Sequence, residues 1–381
     1  MMWASSHVEP EYWAIAVQTV AIIVISIPFL NWLNCYSKKE LSYQSQLSGT
    51  VGEELPTTII LPMRNEAIRA EMKILEIIEE AGPFPRVSLM VVDTGSVDGT
   101  AKICKRVLEE SNLGRERWRI MELNEPGKSK GVNRAMEEIS TEMVIMMDAD
   151  TKANPGWLQE FWVTFHDEEV AVVSGIESYD DSGGPRMGYK LSSDMIRIVE
   201  SAMHSTPILE GGLIGWKTRS MSGFRLKENL NADDAQIALE GIRRGFRSIV
   251  NPRIKFVDKK ISKSGLMRSI RRSQGLSRVL TSSLDIALST EEKSCRRSIL
   301  IAFITYVVLP WAMIAFICSG LVLFSLIGIG LESFWTAVNY VFVALLFLLP
   351  QGRALAWGSV VSIVAHLRYL SGRNHAIWDP G

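Results

Sequence analysis

An apolar run, Val144-Ile145-Met146-Met147, breaks off into two carboxylates one residue apart, Asp148 and Asp150. Four successive apolar residues read as a strand buried on both faces of a parallel sheet, and open α/β sheets hold ligands at the C-terminal edge of such strands. Residues i and i+2 of an extended segment point the same way, so strand geometry carried to Asp150 would aim both acids at one hard cation. Mg²⁺ or Mn²⁺ held by one or two carboxylates completes its shell with water and substrate phosphates. A solvated strand end or a helix cap would use the same acids without a metal.

Two further polar clusters follow apolar runs. Pro62-Met63-Arg64-Asn65-Glu66 is one; Asp93-Thr94-Gly95-Ser96-Val97-Asp98-Gly99-Thr100 is the other. The glycines permit a tight turn, Asp98 or Thr100 can cap the next helix, and Asp93 is placed to bond a ribose or base. In Gly127-Lys128-Ser129-Lys130-Gly131 a loop feeds a helix, and a helix start with two lysines favours an anion such as a diphosphate. The four cysteines, Cys35, Cys104, Cys295 and Cys318, show no C-x-x-C spacing, which fits a reducing compartment and argues against zinc. None of the histidines pairs with another at ligand spacing.

The elements that must position these residues follow from periodicity. Thr57–Leu61, Val87–Val92, Arg117–Leu123 and Met143–Met147 read as strands; Ala67–Ala81, Thr100–Ser111 and Lys130–Ile139 read as helices between them. This β-α-β-α-β-α-β order predicts an α/β fold with a mostly parallel, right-handedly connected, Rossmann-like sheet flanked by helices. No G-x-G-x-x-G follows any strand, so a dinucleotide site has no support. Gly127-Lys128-Ser129 resembles the end of a Walker A loop, but Glu122 stands where its first glycine belongs.

The 381-residue chain has a mean hydropathy of +0.12 and a net charge of -1, which gives no general attraction to nucleic acid. Tyr12–Leu33 is uncharged and long enough to cross a bilayer; it lacks the basic n-region and cleavage site of a signal peptide, so it reads as a retained anchor. Ile299–Leu331 and Ser333–Gln351 are further uncharged runs, and Ala354–Leu367 is a third C-terminal span or an interfacial helix. Lys38, Lys39, Arg296 and Arg297 flank the segment between the spans, which puts that segment in the cytoplasm by the positive-inside rule. Residues 259–298 combine Lys259, Lys260, Lys263, Arg268, Arg271, Arg272 and Arg278 with apolar positions, the pattern of amphipathic helices on an anionic membrane surface. The expected organisation is an anchor (1–40), a catalytic domain (50–258), interfacial helices (259–298), C-terminal spans (299–371) and a short tail (372–381).

Taken in order, these motifs resemble those of the family 2 inverting glycosyltransferases of the GT-A fold: a P-x-x-N-E strand end, D-x-G-S-x-D-G-T, a G-K-x-x-x-x-N-x-A helix start, D-x-D, and a second acidic pair. The last is Asp233-Asp234, where the family usually shows E-D. The resemblance covers Pro56 to Asp258. It implies that Pro62, Asn65, Glu66, Asp93 and Asp98 build the nucleotide pocket, with Asp148 at the ribose and metal, Asp150 on Mn²⁺ or Mg²⁺, and Lys128 near the diphosphate. Arg272 with Gln274 would close over the donor diphosphate, and Asp234 would be the general base, or would only position an acceptor that is already an anionic lipid phosphate.

The expected activity is transfer of a sugar from a nucleotide-diphospho-sugar to a lipid-linked or membrane-presented acceptor on the cytoplasmic face. A processive polysaccharide synthase of the same fold is an alternative, weakened because Gln274-Gly275-Leu276-Ser277-Arg278-Val279 has one residue more than Q-x-x-R-W and lacks its Trp. A catalytically inactive nucleotide-sugar-binding scaffold is a second, and a nucleotidyltransferase is weakened because this chain has no Gly-rich triphosphate loop after its first strand. Sugar, base, acceptor and oligomeric state are not encoded in any spacing considered above.

Overall fold

The structure is a computed structural model and describes residues 10–45, 53–178, 185–258, 265–327, 334–348 and 350–372. Lys259, Lys260 and Lys263 of the basic stretch, and all of the short tail after Gly372, lie outside the described residues.

A long N-terminal helix α1 (Pro10–Ser45) precedes β1 (Thr57–Met63), α2 (Ala67–Ala81), β2 (Val87–Thr94), α3 (Thr100–Glu110), β3 (Trp118–Leu123), α4 (Lys128–Met136) and β4 (Met143–Met147). The second half runs β5 (Thr151–Ala153), α5 (Trp157–Phe165), β6 (Val170–Glu177), α6 (Pro185–Met203), β7 (Leu213–Lys217), α7 (Asp233–Arg243) and β8 (Arg247–Asp258). Then come α8 (Gly265–Ser282), α9 (Leu284–Ser289), α10 (Lys293–Phe303), a π-helical turn (Ile304–Val308), α11 (Leu309–Ile327), α12 (Phe334–Leu348) and α13 (Pro350–Leu370).

The sheet order is β3-β2-β1-β4-β7-β6-β8-β5. β3, β2, β1 and β4 are parallel, as the sequence pattern demands; β7 then runs antiparallel to β4 and to β6, so the whole sheet is mixed. Every residue of β1 and of β4 is buried, because helices cover both faces. Ile59 and Leu61 join one core with Ile74, Ile77, Trp118 and Trp162, while Ile60 joins the other with Val132, Val144, Trp216 and Ile237. Pro62 fits near the end of this central strand because β4 pairs with β1 only as far as Ile60, so no ladder bond needs its missing N–H on that side. The chain order reverses between β1 and β4, which makes their C-terminal ends the natural crevice for a ligand.

The helices beyond the sheet dock on α7. Leu239 and Ile242 pack with Val279 and Leu280 of α8, Ile286 of α9, and Cys295 and Ile299 of α10. Ile270 of α8 also packs on Val361 and Ala365 of α13. α1 lies along α11, where Ala21 and Ile25 meet Leu309, Met313 and Phe316, and Gln18 Nε2 donates to Asn339 Oδ1 of α12 at 2.7 Å. Pro10–Glu40 and Lys293–Leu326 are long and apolar enough to cross a membrane; Leu355–Leu370 is shorter.

Gly131 lets the first turn of α4 rest on β2. A β-carbon there would lie 2.8 Å from Thr94 Cγ2 and 2.9 Å from Val92 Cγ1, both on stiff, buried side chains. Gly131→Val should therefore cost about 1–3 kcal/mol through overpacking and lower the unfolding midpoint measured in detergent, with far-ultraviolet circular dichroism unchanged.

Candidate active site

The loops after β1, β2 and β4 and the start of α7 converge at the crevice. The motif after β1 serves first to hold the next loop. Asn65 adopts a left-handed φ of 54°, its N–H donates to Ser96 Oγ at 2.9 Å, and its Oδ1 accepts from Val97 N at 2.9 Å. Asp98 accepts from Ala67 N at the start of α2 (3.0 Å) and from Thr100 N (3.1 Å) and Oγ1 (2.6 Å). Burial opposes its charge, but the bonds from Thr100 and Ala67 outweigh it and hold the carboxyl below its ordinary range. Asn65 and Asp98 thus brace the pocket's frame in this structure.

Asp93 and Glu66 are the buried acids of the same region. Asp93 Oδ1 accepts from Ser96 N at 2.8 Å; its Oδ2 is buried with no hydrogen-bond partner, an acceptor ready for a ligand N–H or O–H. Glu66 pairs with Arg69 at 2.8 Å, and burial nevertheless raises its affinity for a proton.

At the end of β4 the strand stops. Asp148 N–H donates to Gly212 O, and Thr151 N–H turns back to Asp148 O at 3.1 Å. Asp148-Ala149-Asp150 is therefore a turn, and the strand alternation expected to aim both acids at one cation ends before them. Lys128, the first residue of α4, lies 2.7 Å from Asp148 Oδ1 and 2.7 Å from Asp233 Oδ2. The lysine expected at a diphosphate is thus an ionic bridge between the two acidic motifs. Burial works against its ammonium, but Asp148 and then Asp233 outweigh that cost and raise its pKa. Burial pushes the Asp148 carboxyl up to about 6, with Lys128 opposing and Asp150 and Asp233 reinforcing the rise.

Asp233 and Asp234 open α7 after Ala232, a non-glycine residue at φ 67°. Burial opposes the Asp233 charge, but Lys128 keeps its pKa low; burial and its ionised neighbour raise that of Asp234, whose Oδ1 accepts from Ala235 N at 2.8 Å. Arg272 of α8 is exposed, and among its neighbouring charges Asp234 is foremost, followed by Asp258, Asp148 and Glu210. Gln274 is buried, with Nε2 3.5 Å from Ala365 O of α13. The structure brings Lys128, Asp148, Asp150, Asp234 and Arg272 to one crevice beside Glu66 and Asp93, and leaves Gln274 and Pro62 in packed positions.

Further residues shape the site, of which Lys73, Asp258 and Gln236 were not singled out from sequence. Lys73 of α2 is buried and donates to Thr151 O beneath the acidic turn; its signal is a lone lysine among core-facing Ala70, Ile74 and Ile77. Asp258 ends β8 and accepts from Thr151 Oγ1 at 3.1 Å, another acid at a strand tip. Gln236 accepts from Lys227 N at 2.8 Å, and Asn133 bonds both backbone groups of Leu226, so the loop leading to Asp233 is pinned at two points. Glu210 is held by Lys190 and Arg197 of α6; burial opposes its charge, but Arg197 and Lys190 bring the carboxyl down to about 2. Gly211, the next residue, is in contact range of Asp234: a β-carbon there would be 3.4 Å from Asp234 Oδ2.

A mixed α/β sheet with its acids at the β1–β4 switch point has the place and the charge of a ligand crevice. Residues 58–227 match the family model Glycosyl transferase family 2, and the chain carries a domain of that family in the GT-A fold. The fold is similar to that of the mannosyltransferase PcManGT from Pyrobaculum calidifontis in complex with GDP-Man and Mn²⁺, with a TM-score of 0.76 at 22% identity over 94% of this chain and 99% of the other. S. aureus TarS 1–349 in complex with UDP-GlcNAc is more distant, with a TM-score of 0.48 at 14% identity over 84% and 93% of the two chains. No curated protein matches the chain in sequence.

Lys128→Met should leave Asp148 and Asp233 facing each other without their cation. The expected cost is about 1–3 kcal/mol, below that of a fully buried pair because these groups keep part of their surface exposed. Removing Lys128 takes away what holds the Asp148 carboxyl down at about 6, so in the variant it takes its proton at higher pH, and the deficit should be largest where both carboxyls are ionised and shrink as pH falls toward about 6. Thermal unfolding of both proteins across that range measures it.

Proposed function

We propose that this protein is a membrane-bound inverting glycosyltransferase that moves a sugar from a nucleotide-diphospho-sugar to a lipid-linked or membrane-presented acceptor at the cytoplasmic face. The observation that carries the reading is the Lys128 bridge, which ties the D-x-D acids of β4 to the second acidic pair of α7 across one crevice, inside a family 2 domain.

Asp93 and Glu66 line the nucleoside end, where the unpartnered Asp93 Oδ2 accepts from ribose or base. Asp148 and Asp150 offer hard oxygen ligands, and a cation that takes one or two carboxylates and fills its shell with phosphate and water fits that donor set. GDP-Man and Mn²⁺ bound to the archaeal fold neighbour support this choice of donor and metal. Mn²⁺ or Mg²⁺ bound there would neutralise the departing diphosphate. Arg272, exposed beside the crevice, supplies a planar cation for the same phosphates. Asp234 takes the proton of an acceptor hydroxyl as its oxygen attacks the anomeric carbon; the carbon–phosphate-oxygen bond breaks on the opposite face, and the nucleoside diphosphate leaves. Its raised proton affinity suits a base that must accept a proton and release it again. An acceptor that is already a phosphate anion would need only to be positioned.

Membrane attachment rests on Pro10–Glu40 and Lys293–Leu326, and cytoplasmic orientation on Lys38, Lys39, Arg296 and Arg297 at their inner ends. The apolar helices α1 and α13 pack on α6, and α13 also on α8, which supports delivery of an acceptor from the bilayer to the acids.

Purified protein should release nucleoside diphosphate and label a membrane lipid extract when scanned with nucleotide-sugars and Mn²⁺ or Mg²⁺. Asp150→Ala should abolish the metal-dependent turnover, and Asp234→Asn should lower kcat about 10²–10⁴-fold for a hydroxyl acceptor but little for a phosphate one. In the hydroxyl case the rate should fall on the acid side at a pH above the ordinary carboxylate range, as Asp234 protonates. No turnover with any donor, or turnover indifferent to both substitutions, would return the chain to the scaffold reading.

A further inference from the structure

A second concavity lies outside the catalytic crevice, between α8, the π-helical turn, α11 and α13. Its volume is about 560 Å³. Two of its lining residues are cationic, Lys227 and Arg278, and none is a carboxylate. Arg278 is held in place: Nη1 donates to Asn229 O at 2.9 Å, and its guanidinium lies 4.6 Å from the Tyr369 ring centre. Its opposite side is apolar, with Val307 and Trp311 contributed by the helix that is long enough to span a membrane and Leu370 by the end of α13.

Along α8 a close backbone contact lies between the concavity and the catalytic crevice. At Gly275, between the turns carrying Arg272 and Arg278, the helix backbone meets Asn231 so closely that a β-carbon would be 2.7 Å from Asn231 Cβ and 2.8 Å from its carbonyl carbon. Arg272 and Thr281 are nine residues apart on this helix, about 13 Å along its axis. An occupant with its charge at Lys227 and Arg278 must combine an anion with an apolar chain.

We infer that this concavity is a binding site for an anionic membrane phospholipid, its phosphate between Lys227 and Arg278 and its acyl chain along Val307, Trp311 and Leu370. Charge complementarity selects the headgroup, and the two cations sit where a span leaves the bilayer surface. Leu230 forms the wall toward the catalytic domain, three residues before Asp233, so a bound lipid buttresses the loop that delivers the second acidic pair.

The inference rests on the membrane-bound reading, and the two fail differently. A chain that stays soluble without detergent refutes the membrane reading. The lipid site is tested on detergent-extracted full-length protein by native mass spectrometry with phosphatidylglycerol or phosphatidylcholine of equal chain length. Wild type should retain phosphatidylglycerol in preference, by about fivefold for each effective cation. Thr281→Glu puts a carboxylate at the exposed rim without removing an existing side-chain link to another element, and should erase most of that preference. Trp311→Ala should weaken retention of both lipids. Equal retention of the two lipids by wild type, or a preference unchanged by Thr281→Glu, overturns the site. So does no retained lipid.

Discussion

One ammonium group organises the centre of this protein. Lys128 is 2.7 Å from Asp148 and 2.7 Å from Asp233, acids that come from the end of a parallel strand and the start of a helix more than eighty residues later. Without a cation between them, carboxylates gathered at one sheet edge would repel and take up protons. With it, Asp233 stays ionised while Asp148 and Asp234 are left with raised proton affinities. Neighbouring acids of the same residue type thereby acquire different chemistry.

The surroundings keep that arrangement in register. Lys73 holds the carbonyl of Thr151 from beneath, Asp258 holds its hydroxyl from the side, and Gly212 accepts the Asp148 amide. Asn133 and Gln236 pin the loop before Asp233. Glu210, fixed by two cations of α6, sets Gly211 against Asp234, and α6 in turn packs on the N-terminal helix. The acids are therefore tied mechanically to the apolar helices, so movement of α1 or α13 would be felt at the crevice.

Much of the first half of the catalytic domain was legible in the sequence. Strands β1 to β4 and the helices between them are buried parallel units whose apolar runs and amphipathic stretches are long and distinct, and their acid-tipped ends are what motif spacing detects. The bonds by which Asn65 and Asp98 brace the neighbouring loop were not legible, because such bracing leaves no trace in sequence beyond the motif itself. Whether strand geometry reached Asp150 depended on Gly212 and Thr151, partners outside the motif. The antiparallel β7 and the three-residue β5 are set by long-range pairing with β4 and β8, for which short segments carry little local signal. The Lys128 bridge was hidden for the same reason: a lysine near a helix start reads as an anion binder until the fold supplies carboxylates.

The contact between Gln18 and Asn339 joins residues 321 positions apart, at the two ends of the chain. Gln18 is fully buried in the apolar helix packing, and an amide there without its hydrogen bond is costly. During synthesis α1 is made before α12, and 321 positions separate Gln18 from the Asn339 that receives its donor. The packing of α1 thus depends on α12: without it the Gln18 amide nitrogen would join its Oε1, which is already buried with no hydrogen-bond partner, in lacking one.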